Sequence, residues 1–431
     1  MESHAAKIVD PEAREALSFL QELFADYRAH PFALRLWDGT LWSPTPEVTP
    51  RFTLVLRHPG ALRRMFLPAN ELTLGEAYIY DDFDVEGDIE SAFNLADFIY
   101  DFRLSFAEKL RKVFYLLTLP AGDRPDSLRS AAKLNGKAHS KDRDSLAVTY
   151  HYNVSNDFYR LWLDANMVYS CGYFTSPEDS LDQAQEQKLD YLCRKLRLQE
   201  GERLLDIGCG WGGLILHAAR HYGVHALGIT LSRPQAELAN ERIREAGLTD
   251  RCRAEVLDYR GVDETEGFDK LVSVGMFEHV GEAKLPTYFA KAWRLLRPGG
   301  VFLNHGITCS LAHPYPEGPS FIDRYVFPDG ELLPVTNSLR TAESEGFEIR
   351  DLESLREHYM MTLRHWVHRL ESRHEEAVRF TDEVTYRVWR VYMAGSAYGF
   401  RTGRLNLYQA LLSKPVDGQN RLPLTRKDWY T

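Results

Sequence analysis

The 431 residues include only five cysteines, and none sits in a Cys-x-x-Cys or zinc-finger spacing. Cys171, Cys193, Cys209, Cys252 and Cys309 are odd in number and scattered, which argues against a disulfide scaffold and fits a reducing cytosol. Long apolar runs are missing too. No stretch approaches the length that spans a bilayer, so any membrane contact is expected to be peripheral. The opening Met-Glu-Ser-His-Ala-Ala-Lys has no apolar segment, and no secretory signal is expected. Positive charge is in deficit: the formal net charge of -10 argues against a general nucleic-acid binder, though not against a local basic patch. His374-Glu375-Glu376 lacks a second histidine one turn on, and no metal is assigned. There is no internal repeat. What remains, 44% apolar and 26% charged, is an ordinary globular composition with enough length for two or three domains.

The most informative stretch is Glu202-Arg-Leu-Leu-Asp-Ile-Gly-Cys-Gly-Trp-Gly-Gly213. A short apolar run ends in an acid, turns over alternating glycines and opens into an apolar segment with helical character. Such a strand, turn and helix start lets backbone approach a ligand where a side chain would intrude. A nicotinamide site would carry an acid at the end of the following strand. Here Val224–Ile229 ends in Thr230, and the acid is Asp206, ahead of the glycines. An acid there suits a ligand with a cationic amino-acid end, which points to S-adenosylmethionine. Taken alone the turn has a purely structural reading. Thr230-Leu231-Ser232-Arg233-Pro234-Gln235, Asp258-Tyr259-Arg260 and Phe277-Glu278-His279 each follow a further expected strand, and that repetition favours a ligand site.

Apolar spacing predicts a helix within residues 10–30 and a small α+β domain over 1–120. Between Arg124 and Arg143 six Lys/Arg face two Asp, so 121–146 reads as a basic linker. It is either a solvated connector or a contact for anionic lipid headgroups. From 147 to 431 strands and helices alternate. Strands are expected at 203–207, 225–229, 253–257, 269–274 and 300–307, and helices at 185–197, 213–221, 233–246 and 284–296. This predicts a doubly wound parallel sheet with ligands at the carboxyl ends of its strands. Residues 355–393 read as helical and rich in aromatic residues.

His151-Tyr-Asn-Val-Ser-Asn-Asp-Phe-Tyr159, Tyr169-Ser-Cys-Gly-Tyr-Phe174, the 206–213 turn, Gly228-Ile-Thr-Leu-Ser232, Val272–Gly281 and Phe321–Pro328 together resemble the cyclopropane-fatty-acyl-phospholipid synthase family, including its mycolic-acid branch. The likeness spans about residues 145–412, with a weaker echo at Leu74–Tyr78. It implies a Rossmann-like methyltransferase fold, α/β in class. It also implies S-adenosylmethionine contacts at Tyr169, Ser170, Asp206, Gly208, Gly210, Thr230, Leu231, Gln235, Tyr259 and Arg260. A bicarbonate ion is expected to be held by Cys171, Glu278, His305, the backbone of Ile307, and Tyr359. Three positions depart from the family: Gly306 stands where threonine is usual, Asn304 where leucine is usual, and Ser396 where a cysteine is frequent.

The resemblance implies methyl transfer to the cis double bond of an unsaturated acyl chain in a phospholipid. A dry pocket with aromatic faces stabilises the resulting cation. Loss of a proton from the new methyl, with bicarbonate as general base, closes a cyclopropane. Loss from a neighbouring carbon leaves a methylene branch instead, and the sequence does not choose between them. Residue by residue, blander roles exist: Cys171 as a small buried hydrophobe, His305 satisfying backbone, Glu278 capping a helix. A methyltransferase for soluble amines or phenols, and a non-catalytic lipid binder, are the remaining rivals. The family also implies a homodimer, cytoplasmic and peripheral at the inner face of the membrane, with an N-terminal domain that engages lipid. Tyr359, Trp366, Phe380, Tyr386, Trp389, Tyr392, Tyr398 and Phe400 read as core and, by resemblance, as the wall of an acyl tunnel.

Overall fold

The computed structural model describes residues 10–68, 70–101, 106–121, 132, 136–137, 139–152, 154–313 and 320–430. The chain divides into two compact units: Met1–Ala131 with Gly318–Val326 and Thr381–Tyr398, and the remainder from Ala132.

The first unit begins with the helix Pro11–Leu23. Asp10 caps it, its carboxylate accepting the Glu12 N–H at 2.9 Å. Strands β1 (Phe32–Arg35), β2 (Leu41–Trp42), β3 (Phe52–Leu56) and β4 (Phe83–Gly87) form a sheet in the order β2-β1-β3-β4. Phe24 and Phe52 pack on Phe32 with ring centroids 5.4 and 5.7 Å away, making an aromatic core.

The first unit takes in 318–326 and 381–398, which the sequence reading placed in the domain from 147 onward. Arg387 and Arg390 are buried and donate to the carbonyls of Tyr78 and Val85, at 3.1 and 3.0 Å. Two guanidinium groups thus satisfy main-chain acceptors of the first unit, and they draw 381–398 into it. Most of the basic linker expected at 121–146 (122–131, 133–135 and 138) lies outside the described residues. Its end is described: Lys141–Tyr152 is a helix.

The second unit is built on seven strands: β5 (Arg203–Ile207), β6 (His225–Thr230), β7 (Cys252–Val256), β8 (Phe268–Val274), β9 (Leu296–Cys309), β10 (Glu348–Ser354) and β11 (Leu405–Ser413). The order is β10-β11-β9-β8-β5-β6-β7, parallel from β9 to β7 and antiparallel at β10 and β11. The central parallel strands β5, β8 and β9 are largely buried, as expected where helices cover both faces. Leu204, Leu205, Leu271, Val272, Phe302 and Leu303 have no exposed surface. All five expected strands are present within a few residues of their predicted limits. The antiparallel pair was not foreseen. In β11 the alternation of Leu405, Leu407 and Gln409 carried that signal.

Candidate active site

Gly208, Gly210 and Gly212 have φ of 91°, 53° and 82°, in the left-handed region, and the helix Gly213–Tyr222 follows. A Cβ at Gly208 would lie 2.9 Å from that of Met276, whereas one at Gly210 would meet nothing within 4 Å. Only the first is barred by packing as well as by torsion. The N–H groups of Gly208 and Cys209 both donate to the Ile229 carbonyl at 2.9 Å, locking the turn onto β6.

The cavity beside this turn is lined by all ten residues expected to contact the cofactor: Tyr169, Ser170, Asp206, Gly208, Gly210, Thr230, Leu231, Gln235, Tyr259 and Arg260. The Thr230 hydroxyl donates to Gln235 Oε1 at 2.8 Å and accepts the Ser232 N–H at 3.1 Å. Arg260 is not a free cation. Its guanidinium meets Asp258 at 2.6 Å and Asp144 at 2.8 Å, so it enters the wall as a neutralised cluster.

Asp206 is buried, and its Oδ1 has no hydrogen-bond partner among the described residues. Burial pushes its carboxyl up to about 7, opposed by the Lys188 ammonium. A buried acid with an unmet oxygen beside a glycine cradle fits the cationic amino-acid end of S-adenosylmethionine. Lys188 was missed by the sequence reading. It is 2% exposed, lines the same cavity, and donates to Ser170 Oγ at 2.9 Å. Burial lowers it to about 8 despite Asp164, Cys171 and Asp206 nearby. Gln185, one turn earlier, donates to the Ser170 carbonyl at 2.8 Å. The signal was polar residues at 185, 188 and 195 on the buried face of the helix Leu181–Leu196.

None of the five residues expected to hold the anion lines that cavity; they lie beyond it, linked through backbone. Glu278 Oε1 accepts the Ile307 N–H at 2.7 Å, so that amide is already engaged. Its Oε2 is buried with no partner among the described residues, and burial raises the carboxyl to about 7. His305, two residues before Ile307 on β9, is held neutral by burial and by the charges of Lys188 and Lys195. Its Nε2 likewise has no partner among the described residues. Cys171 lies 3.9 Å from the Leu355 carbonyl, which accepts the Tyr359 N–H at 3.1 Å. The Leu355 N–H donates to Leu407, the register partner of Ile307. Burial raises the Cys171 thiol, which is therefore protonated at neutral pH. The Tyr359 ring packs on Phe400 at 4.8 Å and Trp366 at 5.9 Å. The other late aromatics are buried as expected, except Phe380 at 47% exposed.

Gly306 has a steric reason. A Cβ there would lie 2.8 Å from Phe277 Cδ1, so this packing leaves no room for threonine. At Asn304 the polar change is satisfied, since Oδ1 accepts from the Tyr288 hydroxyl at 2.9 Å.

Residues 139–410 match the family model of mycolic acid cyclopropane synthetase. The chain belongs to that family. Residues 19–109 match the model of a domain of unknown function. A probable fatty acid methyltransferase of Pseudomonas putida is 44% identical over 404 residues, 93% of this chain and 96% of the relative. The cyclopropane-fatty-acyl-phospholipid synthase of Escherichia coli is 35% identical over 297 residues, 69% and 75% of the two chains. The solved mycolic acid cyclopropane synthase CmaA1, complexed with SAH and CTAB, is 34% identical with a TM-score of 0.59, covering 63% of this chain and 98% of that one. The protein is thus a methyltransferase of the cyclopropane synthase family that uses S-adenosylmethionine and acts on lipid acyl chains. Among the described residues no helix is long and apolar enough to cross a membrane.

Proposed function

We propose that this enzyme methylates the cis double bond of an unsaturated acyl chain in a membrane phospholipid and completes a cyclopropane, with Cys171, Glu278, His305, Ile307 and Tyr359 around a bicarbonate ion. The ten cavity residues named above hold the methyl donor. Bound bicarbonate supplies a base of near-neutral strength for the proton on the transferred methyl. The observation that carries the reading is the pair of unmet buried polar atoms, Glu278 Oε2 and His305 Nε2. Buried groups of this kind are rare without a ligand. His305 is on β9, and Glu278 is bonded to Ile307, two residues further along the same strand. Glu278 close to half-protonated at neutral pH can accept a hydrogen bond from the ion's hydroxyl or donate to its oxygen. Aromatic faces at Tyr359 and Trp366 suit the cationic stage of the alkene.

The phospholipid and the membrane surface have separate support. The helix Phe106–Thr118 exposes Leu110, Val113, Phe114 and Leu117, spaced as one helical face, at 61, 37, 71 and 52%. The reading places the enzyme in the cytoplasm at the inner face of the membrane. Family resemblance supports a homodimer, which light scattering would report as twice the chain mass. A methylene-branched product is the second reading, favoured by the Pseudomonas putida relative, which is named for methyl transfer and not for a ring. Purified enzyme on unsaturated phospholipid vesicles, with product NMR, separates them: cyclopropyl protons support the first and vinylic protons the second. Turnover of soluble amines without turnover of vesicles would overturn both.

A further inference from the structure

His305 stands in a row that crosses three strands. On β9 it is the register partner of Gln409 on β11, and Gln409 is in turn the register partner of Glu353 on β10. Side chains directly opposite in antiparallel strands share a face, so imidazole, amide and carboxylate line up. From the helix Leu181–Leu196, Lys195 reaches into this row. Its ammonium is 2.5 Å from Glu353 Oε2, 2.8 Å from Gln409 Oε1 and 3.5 Å from Asp351 Oδ2. Lys195 and Gln409 have no exposed surface, and His305 has 1%.

The orientation of every group in this row is dictated by what Lys195 can do. An ammonium only donates, so the atom of Gln409 facing it must be the carbonyl oxygen. The swapped amide would set two donors against each other. The Gln409 NH2 is then turned toward His305 Nδ1, 3.1 Å away. A neutral imidazole has one donor and one acceptor nitrogen, and Nδ1 facing an N–H must be the acceptor. The ring proton is left on Nε2, the buried atom that no described protein group meets.

We propose that Lys195 and Gln409 are positioning residues that lock His305 in its Nε2–H form, so that the ring offers a hydrogen-bond donor to the anion expected there. The inference rests on the reading above for the identity of the anion, but the lock itself does not. Without it a neutral histidine presents Nε2 in either form, and the acceptor form repels an oxyanion. With it the donor is set before the ligand arrives.

The test is nitrogen-15 NMR of the full-length enzyme labelled at histidine, with the His305 signals assigned by their loss in His305→Gln. Wild-type enzyme is expected to carry its proton on Nε2. Gln409→Glu keeps the shape but places a carboxylate between Lys195 and Nδ1. It should draw the proton to Nδ1 and raise the bicarbonate concentration for half-maximal turnover by about tenfold or more, with S-adenosylmethionine affinity retained. Lys195→Met frees the amide to rotate and should give a mixture of the two forms, and Lys195→Arg should restore the wild-type form. A wild-type proton on Nδ1 would overturn the proposal. So would a Gln409→Glu enzyme that keeps the Nε2–H form, or one that changes form with no change in bicarbonate response. If wild-type turnover ignores bicarbonate while the nitrogen signals behave as expected, the lock stands and the assigned anion falls.

Discussion

In the function proposed above, the donor cavity and the anion cluster solve different problems with different parts of the chain. The cavity is made of turns: backbone bent by Gly208, Gly210 and Gly212, with short polar side chains at strand ends. The cluster is made of register. His305, Gln409 and Glu353 meet only because β9, β11 and β10 pair as they do. On that proposal, binding depends on local geometry, and chemistry depends on residues far apart in sequence. The two should therefore fail separately under mutation.

Glu278→Gln is the sharpest way to part them. It should lower turnover about a thousandfold, within the range for loss of an acid–base group, while calorimetry finds S-adenosylmethionine affinity within about twofold of wild type. Equal loss in both would mean one site, not two. Asp206→Asn tests the other half. Affinity for S-adenosylmethionine should fall by about one to two orders of magnitude, as expected for a charge-assisted hydrogen bond.

The same variant should stabilise the ligand-free protein at alkaline pH. Burial raises the Asp206 carboxyl from 3.8 to about 7, so the fold favours its neutral form. That contribution is complete below pH of about 4 and is lost as pH rises through about 7, a difference of a few kcal/mol at most. Calorimetric melting at pH 8 should rank Asp206→Asn above wild type, and melting at pH 4 should not separate them.

Lys188 sits where the two regions meet, hydrogen-bonded to Ser170 and electrostatically coupled to both Asp206 and Cys171. Lys188→Met should cost about tenfold in kcat/KM and flatten the alkaline limb of the pH profile near 8. An unchanged limb would remove Lys188 from the chemistry. The smallest effect is structural. Gly306→Thr should destabilise by about 1–3 kcal/mol through overpacking against Phe277, and adding Phe277→Leu should recover much of it. Thermal melts of the single and double variants would measure both.

The cavity was legible in the sequence because its determinants are contiguous. Asp206, three glycines, and polar residues just past each strand can be read without knowing what touches what. The five anion candidates came from family likeness alone, since nothing near Cys171 in sequence announces Tyr359. Lys188, Lys195 and Gln409 went unread because a polar residue on an otherwise apolar face looks like a lapse in pattern until its partner is known. The grouping of 381–398 with the first unit was not legible for a related reason: Arg387 and Arg390 bind main-chain carbonyls of that unit, and carbonyls leave no mark in a sequence.

The row through Gln409 also sets an order of events on the ribosome. Every residue lining the donor cavity falls between Asp144 and Val280, whereas β10 begins at Glu348 and β11 at Leu405. The residues of the glycine cradle are therefore synthesised before those of β11, and the imidazole is aimed only when the last strand of the sheet has paired.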